Sequence, residues 1–179
     1  AQYQEQTRTQ QWETRKNQIV FLGRSEPHYD ELLLELCAAK LPLAIYGPFH
    51  HVAQRHSVFG NCFQGQRVWG RKYVQTLSGS TIGLGLLSKL FPETSTRRSF
   101  EIPAAHTALL SESTPKLKTL YAEGEEALFF SGVHEAIQMA RYLLSNQSRT
   151  QEVAEAGFHR VQASGYDTES MVARVLEAV

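Results

Sequence analysis

Along the chain, short apolar runs alternate with stretches in which an apolar residue returns every three or four positions. Residues 18–22 form an apolar run stopped at Gly23, the pattern of a buried strand. Over 27–40 the period becomes helical, with Leu33 and Leu36 inward and Asp30, Glu31 and Glu35 outward. Residues 41–46 return to a strand pattern, which Gly47-Pro48 ends. Strand, helix and strand within about 30 residues make a βαβ unit with a right-handed crossover. A helix is expected over 71–77 and a strand over 81–87, although Gly83 and Gly85 weaken the latter.

The alternation continues to the C-terminus. Residues 108–110 read as a strand, and Thr114-Pro115 opens a short helix with Leu117, Leu120 and Tyr121 on one face, ended by Gly124. Residues 127–130 are the next strand, followed by helical spacing at Val133, Ile137, Ala140 and Leu144. Ser148 and Gln151 suggest a capping box for a helix through Val153, Ala156 and Val161, and Asp167 a cap for a last helix with Val172, Leu176 and Val179. Residues 1–17 are polar with five Gln and read as a linker or frayed segment, which leaves 18–179 as one domain. Residues 50–70 show no clear period. The expected fold is α/β: a doubly wound, mainly parallel sheet of five or six strands with helices on both faces.

Composition narrows the partners. Lys+Arg and Asp+Glu both number 18, so bulk charge draws the chain neither to nucleic acid nor to a membrane surface. No run reaches the ~20 apolar residues of a membrane span, and no signal peptide is visible. Cys37 and Cys62 lack CxxC spacing and read as reduced thiols, which suits a cytoplasmic protein. His50, His51 and His56 lie close together, but no Cys or carboxylate stands nearby at ligand spacing, so no metal is expected.

Residues 91–110 carry the most chemistry. A polar loop leads into a helix start that Ser95 or Thr96 can cap, then Arg97-Arg98, then Glu101 one turn on, and a buried strand. N–H groups at a helix start and planar guanidinium donors suit phosphate. A carboxylate one turn further can accept from sugar hydroxyls. In open α/β sheets ligands bind beyond the carboxyl ends of the strands. There Gly23-Arg24, Gly47-Pro48 and the segment from Glu93 to Glu101 would face one crevice, a set suited to a nucleotide diphosphate. Facing an open cleft, Arg98 and Glu101 would be removable with little loss of stability.

The segment Thr96-Arg97-Arg98-Ser99-Phe100-Glu101-Ile102-Pro103-Ala104 resembles the T-x-R-x-F-E-I-P-A signature of glycosyltransferases related to spore-maturation proteins, which have the two-domain GT-B fold. Tyr121-Ala-Glu-Gly-Glu-Glu126 is similar to the family's F-x-E-G-x-E turn, and Phe21-Leu-Gly-Arg-Ser25 to its opening strand and Gly loop. The resemblance covers nearly the whole chain but only the C-terminal, Rossmann-like half of such an enzyme. It implies that Gly23, Arg24, Gly47, Thr96, Arg98, Ser99 and Glu101 bind a UDP- or GDP-sugar. Glu93, which forms the E-x7-E spacing of retaining GT-B enzymes with Glu101, becomes a candidate sugar contact. The acceptor and its activating base would belong to an N-terminal domain, so this half alone would be inactive. Arginines and backbone N–H groups would stabilise the leaving diphosphate, with no cofactor and no metal.

One departure stands out. After Pro-Ala the family has a small residue and a glycine, where this chain has Ala105-His106. That departure motivates an alternative in which the fold is kept as a non-catalytic interaction module. His106 otherwise reads as structural, and Glu123, Glu125 and Glu126 as a turn and helix-end surface. Trp12 and Trp69 fit a core, a linker contact or an interface equally well. Gly83-Leu-Gly85 lacks the third glycine and helix opening of a dinucleotide fingerprint.

Overall fold

The computed structural model describes residues 11–165. Its strands are β1 (Lys16–Leu22), β2 (Leu43–Tyr46), β3 (Phe63–Gly65), β4 (Ser80–Gly85), β5 (Ala108–Glu112) and β6 (Leu128–Phe130). Its helices are α1 (Pro27–Ala38), α2 (His50–Arg55), α3 (Ser57–Cys62), α4 (Gly70–Ser78), α5 (Arg98–Ala104), α6 (Pro115–Leu120), α7 (Val133–Ser145) and α8 (Gln147–Ser164). The six strands form one sheet in the order β3-β2-β1-β4-β5-β6, and every neighbouring pair is parallel. The chain builds outward from β1 to β3, returns to the other side of β1 with β4, and builds outward again to β6. The strand order reverses between β1 and β4, where an open α/β sheet forms its crevice.

Alternation along the strands divides the core between two faces. Ile19 and Phe21 of β1 pack with Tyr29, Leu33 and Leu36 of α1, with Phe49 and Phe59, and with Ala136, Ala140 and Leu143 of α7. Val20 and Leu22 face the other way, toward Leu77 of α4, Ile102 of α5 and Leu117 of α6. The same switch separates Leu110 from Leu109 and Phe130 from Phe129. Burial on both faces requires apolar residues at successive strand positions, which explains the continuous runs in the sequence.

Gly83, which weakens β4 by propensity, has a packing reason. A Cβ there would lie 2.5 Å from Ile102 Cγ2, so the bare backbone lets α5 rest directly on β4.

Several local expectations are corrected. Strand β1 begins at Lys16, two residues before the expected strand start. Residues 50–65 hold α2, α3 and the edge strand β3, whose short lengths give no readable period. Strand β4 ends at Gly85, two residues before the expected boundary. Helix α6 is capped as expected, with Thr114 Oγ1 accepting from Leu117 N at 3.0 Å, but it ends at Leu120, and Gly124 (φ +83°) lies in the turn toward β6. Ser148 sits inside α8, whose N-cap Asn146 makes no side-chain cap bond, so the capping box does not form. The helix expected after Asp167 lies outside the described residues. Among the described residues, no helix is long and apolar enough to cross a membrane.

Candidate functional site at the sheet switch point

The chain leaves β1 toward α1 on one face of the sheet and leaves β4 toward α5 on the other. Between these exits lies a cavity of about 630 Å³. One wall comes from the segments after β1 and β4 and includes Gly23, Arg24, Glu93, Thr96, Arg97, Arg98 and Glu101. The facing wall comes from the end of β2, from the segment joining β3 to α4 and from the start of α4, with Tyr46, Arg67, Val68, Trp69, Gly70, Tyr73 and Val74. Tyr29 also lines the cavity; burial pushes its phenol up to about 12, and its hydroxyl donates to Leu86 O.

The arginine wall is held from beneath. Arg98 Nη1 donates to Leu22 O at 3.2 Å and Nη2 to Leu86 O at 3.4 Å, so one guanidinium ties the end of β1 to the residue just past β4. It also lies 5.6 Å from the Phe21 ring centre. Its Nε and Thr96 Oγ1 are the buried side-chain polar atoms without a hydrogen-bond partner among the described residues, and both residues line the cavity. Such atoms lose their hydration without compensation unless something else meets them.

Arg24 is steered by Glu26, a buried carboxylate that accepts from Arg24 Nε and from Ser88 Oγ. The Arg24 guanidinium lies 5.5 Å from the Phe91 ring centre. Ser88 N in turn donates to Glu93 Oε2 at 2.8 Å, fixing that carboxylate at the cavity wall. Glu112, buried at the end of β5, accepts from Leu87 N at 2.6 Å and meets both His28 and Lys89 at 2.8 Å. Three carboxylates therefore lace the segment after β4 into a fixed shape.

Glu101 stands between the walls. Its Oε2 accepts from the Tyr73 hydroxyl at 2.7 Å and its Oε1 lies 3.0 Å from Arg97 Nη2.

A family profile described as "Glycosyl transferase-like" matches residues 24–177. The chain belongs to the glycosyl transferase-like family. Its fold agrees. A glycosyltransferase from Rickettsia africae superposes with a TM-score of 0.75 at 14% identity, covering 99% of this chain and 53% of that one. The Anabaena protein HepE in complex with UDP gives 0.69 at 12% identity, covering 94% and 50%. Sucrose-phosphate synthase from Thermosynechococcus elongatus gives 0.72 at 14%, covering 94% and 45%. This glycosyl transferase-like chain thus spans about half the length of these structures. No curated protein sequence matches it.

Within this glycosyl transferase-like domain the motif residues divide. Gly23, Arg24, Glu93, Thr96, Arg98 and Glu101 come together at the cavity. Ser99 does not line it: fully buried, it accepts from Thr96 N through Oγ at 3.1 Å, and its carbonyl accepts from the Tyr121 hydroxyl. Gly47 lies behind the wall at φ +149°, where a Cβ would approach Gly23 O to 2.1 Å, so it permits a close backbone contact. The expected cap by Ser95 or Thr96 is absent. Helix α5 starts at Arg98 with Arg97 at its N-cap and no side-chain cap bond; the Ser99 N–H donates to the Thr96 carbonyl and not to its hydroxyl. Arg98 cannot be removed freely from a structure in which it bridges two strand ends, which corrects that expectation.

The facing wall was not found from sequence. Trp69 (72% exposed) and Tyr73 follow a segment without a period, and only tertiary folding brings them opposite Glu101.

Elsewhere, His106 adopts φ +52°, a backbone state typical of glycine, in the slot where the related signature has one. Its carbonyl accepts from Arg15 Nη1, its ring lies 3.4 Å centre to centre from Phe158, and Nδ1 is 3.3 Å from Glu155. Cys37 and Cys62 are buried free thiols that hydrogen-bond each other, which pushes the Cys37 thiol upward. His50 meets Gln66, and His51 meets Ser25 and Asp30. Among the described residues no group of three or more His, Cys, Asp or Glu is placed to hold a metal ion.

Proposed function

We propose that this chain is the donor-binding domain of a glycosyltransferase, transferring a sugar from a nucleoside diphosphate sugar to an acceptor held by an N-terminal domain of the same enzyme. The motif over residues 96–104 favours membership of the spore-maturation-protein-like group. The buried, reduced thiols suit a cytoplasmic setting.

The observation that carries this reading is the chemical gradient across one cavity. Val68, Trp69 and Tyr73 offer flat apolar contact at one side, Glu101 a hydroxyl acceptor between, and Arg24 and Arg98 positive charge at the other. A nucleoside diphosphate has the same order of base, ribose and phosphates. Arg98 and Thr96 both line the cavity, and a guanidinium beside a hydroxyl suits phosphate oxygens. HepE, alike in fold, has been crystallised with UDP and with UDP-glucose.

As the anomeric carbon–oxygen bond breaks, negative charge grows on the departing diphosphate. Arg98 and Arg24, already oriented by Leu22 O, Leu86 O and Glu26, stabilise that charge without reorganising. Glu93, pinned by Ser88 N–H, is the carboxylate proposed to contact the sugar. Bringing the acceptor into line falls to the other domain, so this domain alone is proposed to carry out no transfer.

Thermal melts with UDP, GDP and their glucose and mannose derivatives test the reading. A ligand at a hundred times its Kd stabilises the native state by about 2.7 kcal/mol, a readily measured rise in Tm. If all of these ligands leave the melting temperature unmoved at millimolar concentration, the donor-site reading fails.

A further inference from the structure

Tyr73 lies on α4, in the part of the chain with no recognisable motif, yet its hydroxyl donates to Glu101 Oε2 at 2.7 Å across the cavity. Arg97 Nη2 holds the other oxygen at 3.0 Å, but that side chain is 90% exposed, and an exposed ion pair restrains a carboxylate weakly. Tyr73 is half-buried on a helix that is itself anchored to the core through Leu77, with Val74 also buried. A short bond from such a phenol fixes a carboxylate rotamer far better than a swinging arginine does. Left to itself, a Glu side chain in a cavity of this size has several staggered rotamers to choose from.

We infer that Tyr73 is a positioning residue that makes this site selective for ribonucleotides. It rests on the donor-site reading above. Hydrogen-bond selectivity depends on an acceptor held where the ligand hydroxyl arrives, since an acceptor that must first be ordered returns part of the gain as entropy. A carboxylate oriented by Tyr73 accepts from a ribose hydroxyl at once. A nucleotide without that hydroxyl forgoes the hydrogen bond to the oriented carboxylate and binds more weakly. Tyr73 touches the selectivity and not the ligand's phosphates, which lie with the arginines on the opposite wall.

The experiment measures the affinity of the full 179-residue chain for UDP and for 2′,3′-dideoxyuridine diphosphate, and for the matching guanosine pair, in the parent and in Tyr73→Phe. The parent is expected to favour the ribonucleotide by about tenfold or more, the scale of a hydrogen bond to a charged group. In Tyr73→Phe that ratio should shrink severalfold, while affinity for the dideoxy compound stays within about twofold of the parent. Tyr73→Phe keeps the ring and therefore the packing, and its melting temperature confirms folding. Tyr73→Leu provides a second variant with the same expected loss of ratio. Two outcomes overturn the inference while sparing the donor-site reading: a parent that binds both nucleotides equally, or variants that keep the parental ratio. A parent that binds neither nucleotide overturns the donor-site reading and this inference with it.

Discussion

The two walls of the cavity were built by different means. The wall after β1 and β4 carries charged and hydroxylated residues, of which Arg98 is tied down by backbone carbonyls, Arg24 by Glu26 and Glu93 by Ser88. The facing wall carries Val68, Trp69 and Tyr73 beside Arg67, placed by where α4 packs on the sheet through Leu77. One wall is a rigid electrostatic fixture and the other an aromatic surface delivered by tertiary packing. Under the proposed donor-binding function, separate parts of the ligand fall to separate walls, so a change on one side should leave the other side's ligand part alone.

Arg98→Ala should have the largest effect and strike on both counts. It removes the bridge from Leu22 O to Leu86 O, so stability should fall by about 2 kcal/mol, and affinity for a nucleoside diphosphate should drop about tenfold or more. Affinity for the bare nucleoside should hold. Thermal melts paired with binding titrations separate the two losses, and an unchanged diphosphate affinity would remove the arginine wall from the account. Trp69→Ala should do the reverse. The side chain is 72% exposed, so melting should barely move. Base stacking on an aromatic is worth about 1–3 kcal/mol, so nucleoside and nucleoside diphosphate should both bind about tenfold more weakly. Inorganic pyrophosphate, with no base to stack, should bind the variant as it binds the parent; equal weakening of pyrophosphate would dissolve the division between the walls.

The smallest effect should come from the opposite end of the strands, where His106 precedes β5. Burial lowers its pKa, against the smaller upward pull of Glu155, with Arg15 and His159 also facing the ring. A folded pKa below the ordinary 6.5 means the unfolded chain takes up the proton first. The stability is therefore fully present above pH 6.5 and is lost as pH falls through the lower, folded value. His106→Asn, which tolerates the left-handed backbone, should flatten the dependence of Tm on pH below 6.5 and leave nucleotide affinity unchanged. A pH dependence that persists in the variant would assign it elsewhere.

Legibility in the sequence followed the same divide. Strands β1, β5 and β6 could be read because burial on both faces forces consecutive apolar residues. β3 could not, because it is a three-residue edge strand with no period of its own. Gly83 argued against β4 by propensity and turned out to be required by Ile102. Thr96 and Thr114 look alike in sequence as helix caps. Thr114 caps with Pro115 fixing the turn beside it, whereas the Ser99 N–H donates to the Thr96 carbonyl, and Thr96 Oγ1 has no hydrogen-bond partner among the described residues. The charged wall was visible because its residues cluster within a few positions. Glu26 and Glu112 were not, since each is a lone carboxylate in sequence whose partners come from distant segments. Trp69 and Tyr73 were missed for the same reason: nothing nearby in sequence says that Glu101 lies opposite.

The central claim is that the cavity between β1 and β4 holds a nucleoside diphosphate across both walls. Titration calorimetry of the parent chain with UDP, GDP, uridine, guanosine and inorganic pyrophosphate tests it most directly. The account predicts saturable one-to-one binding of at least one nucleoside diphosphate, tighter than either its nucleoside or pyrophosphate alone by about tenfold or more, because each fragment reaches only one wall. A nucleoside diphosphate that binds no better than pyrophosphate, or no binding by any of them, would contradict it.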